Sequence, residues 1–141
     1  MSKILVDTNI ILDLLAKRQP FHIESLQIFS LADLKQVELV VSALSLVNAH
    51  YILNDAMKIK ETRSIIGKFK VLVTSYELND KIIELALNDN NFKDFEDGIQ
   101  YYTALESQCE LILTRNLKDF KKSAIPVLSP KEYLTKINSQ K

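Results

Sequence analysis

Oxygen-bearing side chains collect in four separated stretches of this chain. LVDTN carries Asp7, Thr8 and Asn9, and SALSLVNAHY carries Asn48. DFEDG carries Asp94, Glu96 and Asp97, and LILTRNLKDF carries Thr114, Asn116 and Asp119. None of these candidates is a His or a Cys. Carboxylate and amide oxygens suit a hard cation, so the set points to Mg²⁺ or Mn²⁺ rather than Zn²⁺. Two carboxylates ~4 Å apart repel by ~4 kcal/mol at an effective dielectric of 20, so a fold gathers several only with a proton or a cation among them. A divalent ion held in this way supplies a Lewis acid and an activated water for attack on a phosphodiester. In this reading Asp7, Glu96, Asp97 and Asp119 are the candidate ligands, with the amides Asn48 and Asn116 beside them. Arg115, Lys118, Lys121 and Lys122 form the densest basic stretch and would hold backbone phosphates.

Each feature also has a plainer reading. Asp7 suits the N-cap of a helix starting near Thr8, and Asp94 caps equally well with Asp97 three residues on. Three carboxylates in four positions exceed what a cap needs, although each gains from the helix dipole. Asn48 is a mediocre helix former whose amide is as readily solvated as functional. The basic run suits a solvated loop face, and His50 a partly buried structural role. A calcium loop is excluded, because no Asp-x-Asx-x-Asx-Gly run with a distal Glu occurs.

The elements that must position these groups follow from the apolar pattern. Five β-rich runs, Lys3–Asp7, Val37–Ser42, Phe69–Val73, Leu111–Thr114 and Ile125–Leu128, are mostly continuous apolar stretches, as in strands covered on both faces. Helical spacing lies between them: Phe21, Ser25, Ile28, Ala32 and Leu34; Leu44, Val47, Tyr51 and Ile52; Leu78, Ile82, Leu85 and Ala86; Phe95, Ile99, Tyr102 and Leu105. Asn88–Asn91 reads as a loop. This alternation predicts an α/β layered domain with a mainly parallel sheet, one domain over residues 1–137, and a frayed tail over 138–141. Ligands of such sheets bind beyond the carboxyl ends of the strands, where the N-termini of the crossover helices also lie. Side chains distant in sequence converge on that edge.

Composition narrows the field. Lys and Arg total 18 against 18 Asp and Glu, so nucleic acid must be held by a local patch or a cation, not by bulk charge. Gly67 and Gly98 are the only glycines, which removes every glycine-rich phosphate cradle. A single cysteine, Cys109, rules out an internal disulfide and a Cys-based zinc site. With no long apolar run and no leader-like start, the expectation is a soluble cytoplasmic protein with no membrane association. A phosphorylatable receiver is disfavoured because Asp7 has no acidic neighbour. A haloacid-type phosphatase would need Asp-x-Asp where this chain has Asp7-Thr8-Asn9.

The order and spacing of VDTNIILDLL, DFEDG, ILTRNLKDF and IPVLSPKEYL resemble the PIN-domain family over nearly the whole chain. Many members of this size resemble VapC, a ribonuclease toxin of toxin–antitoxin modules. The resemblance implies a three-layer α/β/α sandwich, Mg²⁺- or Mn²⁺-dependent cleavage of RNA, frequent homodimerisation and inhibition by a small antitoxin. By position, Asp7 matches the first metal carboxylate and Asp97 the third acidic position. Thr114 and Asn116 match the polar pair after the fourth strand, with Asn116 orienting water or metal. Thr8, Asn9 and Asn48 then serve as orienting groups. Asn48 departs from the pattern, falling where the family usually carries Glu; an amide brings no charge and is a poor proton acceptor. A second reading follows, that of a catalytically weakened module binding RNA or an antitoxin without turnover. Tyr51, Tyr76, Tyr101, Tyr102, Phe92 and Phe95 offer aromatic surface for a dimer or an antitoxin segment.

Overall fold

The computed structural model describes residues 1–140. Strand β1 (Ser2–Val6) leads through helices α1 (Thr8–Leu15) and α2 (His22–Asp33) to β2 (Val37–Ser42). Helix α3 (Ala43–Tyr51) runs into a π-helical turn, Ile52–Ala56, and is followed by α4 (Thr62–Phe69) and β3 (Thr74–Tyr76). Helices α5 (Asp80–Leu87) and α6 (Phe95–Glu106) precede β4 (Leu111–Leu113). A 3-10 turn at Leu117–Phe120, β5 (Val127–Leu128) and α7 (Pro130–Ser139) complete the chain. The strands form one sheet in the order β3-β2-β1-β4-β5, and every pairing is parallel.

Alternation along the strands divides the core into two layers. Ile4 and Val6 of β1, with Leu39, Val41, Leu111 and Leu113, face α1, α2, α3, α4 and α7. Leu5, Val40 and Ile112 face the opposite way, onto Tyr101, Ala104, Phe92 and Phe120. The result is the expected three-layer α/β/α sandwich. Helices α5 and α6 approach closely because residue 98 lacks a side chain: a Cβ there would lie 3.3 Å from the Cβ of Ala86.

The chain runs from β1 outward to β3 and then returns to the other side of β1 for β4. Beyond the carboxyl ends of β1 and β4, connections therefore leave in opposite directions and open a crevice. The backbone N–H of Asp7 donates to the carbonyl of Leu113 at 3.0 Å, tying the residue after β1 to the end of β4.

Several expectations need correction. Phe69–Val73 is not a strand: Phe69 closes α4 with its ring edge-on to Phe29 at 5.2 Å, Lys70–Leu72 makes a 3-10 turn, and β3 begins at Thr74. On α3 the expected inward positions Val47 and Tyr51 are 66% and 63% exposed, while Ser45, Leu46 and Ala49 are buried. The helix is thus rotated so that its small side chains meet α1 and α6. Phe95 is likewise exposed, whereas Phe92 and Tyr101 stack in the core at 4.8 Å and offer no surface to a partner. Nor does the tail fray from residue 138, since α7 continues through Ser139; Lys141 lies outside the described residues.

One charged cluster supports this frame. Asp13, on α1, is 1% exposed and lies between two guanidinium groups. Arg115 Nε donates to its Oδ2 at 2.8 Å and Arg115 Nη2 to its Oδ1 at 3.2 Å, while Arg18 Nε donates to Oδ1 at 2.9 Å. Arg115 also lies over the ring of Phe21, 3.8 Å from its centroid. The cluster joins α1 to the loop after β4. Removing the carboxylate leaves two partly buried cations facing each other, a change that typically costs at least ~3 kcal/mol. Asp13→Ala should lose stability on that order in urea unfolding; a loss under half of it would show that the cluster is incidental.

Candidate active site

The crevice at the end of β1 and β4 is a cavity of about 450 Å³. Asp7, Asp94, Glu96, Asp97 and Asp119 line it together with the amides Asn9, Asn48 and Asn116; Thr8 contributes beside Asp7, and Leu12, Tyr51 and Ile52 form an apolar edge. Among the described residues no Lys or Arg lines it. All the oxygen-bearing candidates read from the sequence as metal ligands or catalytic groups therefore share one hollow.

Asp7 reaches it because β1 ends at Val6, and its carboxylate both caps α1 and faces the cavity. Its Oδ1 accepts from the backbone N–H of Thr8 at 2.8 Å, and its Oδ2 from Thr114 Oγ1 at 2.8 Å. Thr114 is fully buried behind the cavity wall and orients Asp7; its own oxygen accepts from the N–H of Asn116 at 3.0 Å. The cap expected of Asp7 and a place in the cavity wall thus coexist in one side chain. Asp94 is the N-cap of α6, accepting from the N–H of Glu96 at 2.9 Å, so the first turn of α6 presents Glu96 and Asp97 to the crevice.

Asn48 occupies the second turn of α3, and its Nδ2 donates to Glu96 Oε1 at 2.8 Å. The amide therefore fixes a carboxylate that comes from α6. Beneath the cavity lies a polar layer that sequence reasoning missed in part. Thr8 Oγ1 and Ser45 Oγ are 2.7 Å apart, and Gln100 Nε2 donates to Ser45 Oγ at 2.7 Å and to Thr8 Oγ1 at 3.4 Å. This layer links α1, α3 and α6 directly under the carboxylates. Gln100 follows Glu96 and Asp97 by four and three residues, a helical spacing that placed it on their face. Its Oε1 is buried without a partner.

The basic candidates divide. Arg115 is held by Asp13 and Phe21, which gives it a structural role and sets it apart from the lysines. Lys118, Lys121 and Lys122 line an adjoining hollow with Lys93, and this hollow shares Asp94, Asp97 and Asp119 with the cavity. His50 is structural as expected, its Nε2 lying 3.0 Å from Thr62 Oγ1. A hollow of about 500 Å³ at the amino-terminal edge of the sheet has Glu110 as its only carboxylate among the described residues and lacks the convergent acids.

Electrostatics follow from this crowding. Asp97 is pushed up to about 7, first by burial and then by the charges of Asp7, Asp94, Asp119 and Glu96. Burial also raises Asp7, against the lowering effect of its hydrogen bonds from Thr114 and Thr8. Among the described residues no three His, Cys, Asp or Glu side chains stand close enough to enclose a metal by themselves.

The parallel sheet and the acidic crevice define a class, and comparison with known proteins agrees. The chain belongs to the PIN domain family, whose model matches residues 3–118. It is 30% identical over 140 residues to ribonuclease VapC1 of Aquifex aeolicus (strain VF5), covering 97% of this chain and 96% of that protein. Among solved structures, VapBC2 from Rickettsia felis bound to a promoter DNA fragment superposes with a TM-score of 0.64 at 17% identity, over 90% of this chain and 97% of that one. A toxin–antitoxin complex from Klebsiella pneumoniae gives 0.63 at 24% identity, over 89% and 96%. No helix among the described residues is long and apolar enough to cross a membrane.

A carboxyl whose folded value lies above its unfolded value of roughly 3.9 binds its proton more tightly when folded. Without divalent ions, stability should therefore fall as pH rises from about 4 to about 7. Asp97→Asn should flatten that slope and be more stable than wild type at pH 8, as measured by urea unfolding in EDTA. A wild-type stability that climbs across the same window would contradict the assignment.

Proposed function

We propose that this protein is a Mg²⁺- or Mn²⁺-dependent endoribonuclease and the toxin of a toxin–antitoxin pair. The observation that carries the reading is the cavity in which Asp7, Glu96, Asp97 and Asp119 meet with no basic side chain among them. Similarity to ribonuclease VapC1 over almost the full length of both chains supports RNA as the substrate, and likeness to a solved toxin–antitoxin complex supports an antitoxin as a partner. A homodimer and a cytoplasmic location belong to the same reading.

The donor set fits a hard cation: oxygens only, on residues whose repulsion a divalent charge would relieve. Asp7 and Asp97 would hold it, with Asp119 beside them. When bound, such an ion supplies Lewis acidity toward the scissile phosphate and lowers the pKa of a coordinated water. The remaining work falls to this chain's own groups. Thr114 and the Thr8 N–H keep Asp7 facing the cavity. Asn48 holds Glu96, whose carboxylate is the proton acceptor that position 48 lacks. Asn116 orients from the loop after β4. Lys118, Lys121 and Lys122 hold flanking phosphates in the adjoining hollow.

Asp7→Asn should abolish cleavage of RNA, because an amide neither anchors the cation with charge nor compensates its field. Thermal stability should stay equal or rise, since one repelling charge is gone, the amide oxygen still accepts from the Thr8 N–H, and the amide nitrogen can donate to Thr114 Oγ1 in place of accepting from it. Equal cleavage by wild type and variant, unaffected by excess EDTA, would overturn the reading. Calorimetric titration with Mn²⁺ separates it from the weakened module. If Glu96 serves in place of a Glu at 48, Asn48→Glu should bring no large gain in Mn²⁺ affinity or in rate. A sharp gain in both would mean that the native site is degenerate.

A further inference from the structure

We infer that Tyr51 is a stacking platform for an unpaired nucleobase, placed across the acidic cavity from the lysines that carry the phosphates. The inference rests on the nuclease reading for its substrate class, and on three observations for its placement.

Tyr51 closes α3 and is 63% exposed, yet it belongs to the cavity wall together with Leu12 and Ile52. It is apart from the aromatic contacts of the core, in which Phe92 stacks on Tyr101 and Tyr101 meets Tyr102 edge-on. Core packing therefore does not account for the ring. The backbone also changes at this residue, where α3 gives way to the π-helical turn Ile52–Ala56, a local geometry that recurs at functional sites.

The second observation is the charge layout. A nucleotide brings a phosphate and a base, and the cavity repels the first wherever no cation stands. The basic groups, Lys93, Lys118, Lys121 and Lys122, ring the neighbouring hollow, which meets the cavity at Asp94, Asp97 and Asp119. The carboxylates thus separate a cationic side from an apolar, aromatic side. A strand crossing them would leave phosphates with the lysines and a base on Tyr51.

The third is the chemistry of recognition. Every base offers a π face, and aromatic stacking is worth ~1–3 kcal/mol per base. In an A-form duplex the bases remain stacked on each other, so only an unpaired nucleotide can lay its face on a protruding ring. The substrate class is consequently single-stranded or looped RNA.

The test is binding, by fluorescence anisotropy, of a labelled phosphorothioate dodeca-adenylate, the same strand with one abasic nucleotide scanned along it, and the adenylate–uridylate duplex. Wild type should prefer the single strand and lose roughly 5- to 150-fold in affinity at one abasic position. Tyr51→Ala should show that same loss on the intact strand and no longer sense the abasic position, while Tyr51→Phe binds as wild type. Lys118→Ala should weaken all strands alike and reduce the salt dependence. Wild-type affinity in Tyr51→Ala, equal losses on intact and abasic strands, or no binding of any strand by wild type would each overturn the inference. So would an effect of Tyr51→Ala confined to self-association in light scattering, which would place the ring in an interface between copies. Cleavage of an unmodified strand in Mg²⁺, followed in parallel, keeps the two readings apart. Cleavage without the abasic signature retires the stacking site alone, and the signature without cleavage retires hydrolysis alone.

Discussion

Mutual repulsion among carboxylates at the junction of β1 and β4 is the constraint on which the rest of this molecule turns. Asp7 and Asp97 come from opposite halves of the chain, yet the charge of Asp7 raises the affinity of Asp97 for a proton. The sheet order brings them together, because β1 sits between β2 and β4 and the connections leave its carboxyl end in two directions. A fold that merely needed helix caps would not assemble this many anions in one hollow without a single cation lining it. The raised proton affinity of Asp97 is the direct mark of that crowding.

The surrounding structure is organised to hold that unfavourable group in place. Buried hydrogen bonds fix Asp7 from both sides, and the Thr8–Ser45–Gln100 layer locks the three helices that contribute the wall. Asp13 with its two arginines anchors the loop after β4, which carries Asn116 and Asp119. Asn48 and Glu96 form a cross-helix unit in which the carboxylate stands on α6 and its holder on α3. A carboxylate can thus be provided to the same hollow from a different helix, so an amide at position 48 does not by itself leave the crevice short of charge.

Much of this was legible from residue types. Continuous apolar runs identified four of the five strands within a residue or two, because strands covered on both faces leave no polar positions. The rule that ligands meet at the carboxyl edge then assembled Asp7, Asn48, Asp97 and Asn116 without coordinates. The third strand was not legible, since the five residues FKVLV fit a helix end and the turn after it as well as a strand. Helix α7 escaped periodicity although Ser129 and Glu132 form a capping box with Pro130 at the first turn. On α3, apolar residues surround the helix, and a small-residue face chosen by the polar layer won over the larger Leu44/Val47/Tyr51 stripe. Asp13 carried a signal, a lone charge inside IILDLL, that demands a buried partner; its identity, Arg115, depended on the tertiary fold.

The central claim, that a divalent cation is what reconciles these carboxylates, is tested most directly by following the Asp97 side-chain carboxyl by NMR through a pH titration with and without Mg²⁺. The account predicts a midpoint near 7 in metal-free buffer and a fall below the ordinary aspartate value at saturating Mg²⁺, with the Asp7 signal moving in step. A midpoint near 4 without metal, or one near 7 that Mg²⁺ leaves untouched, would contradict it.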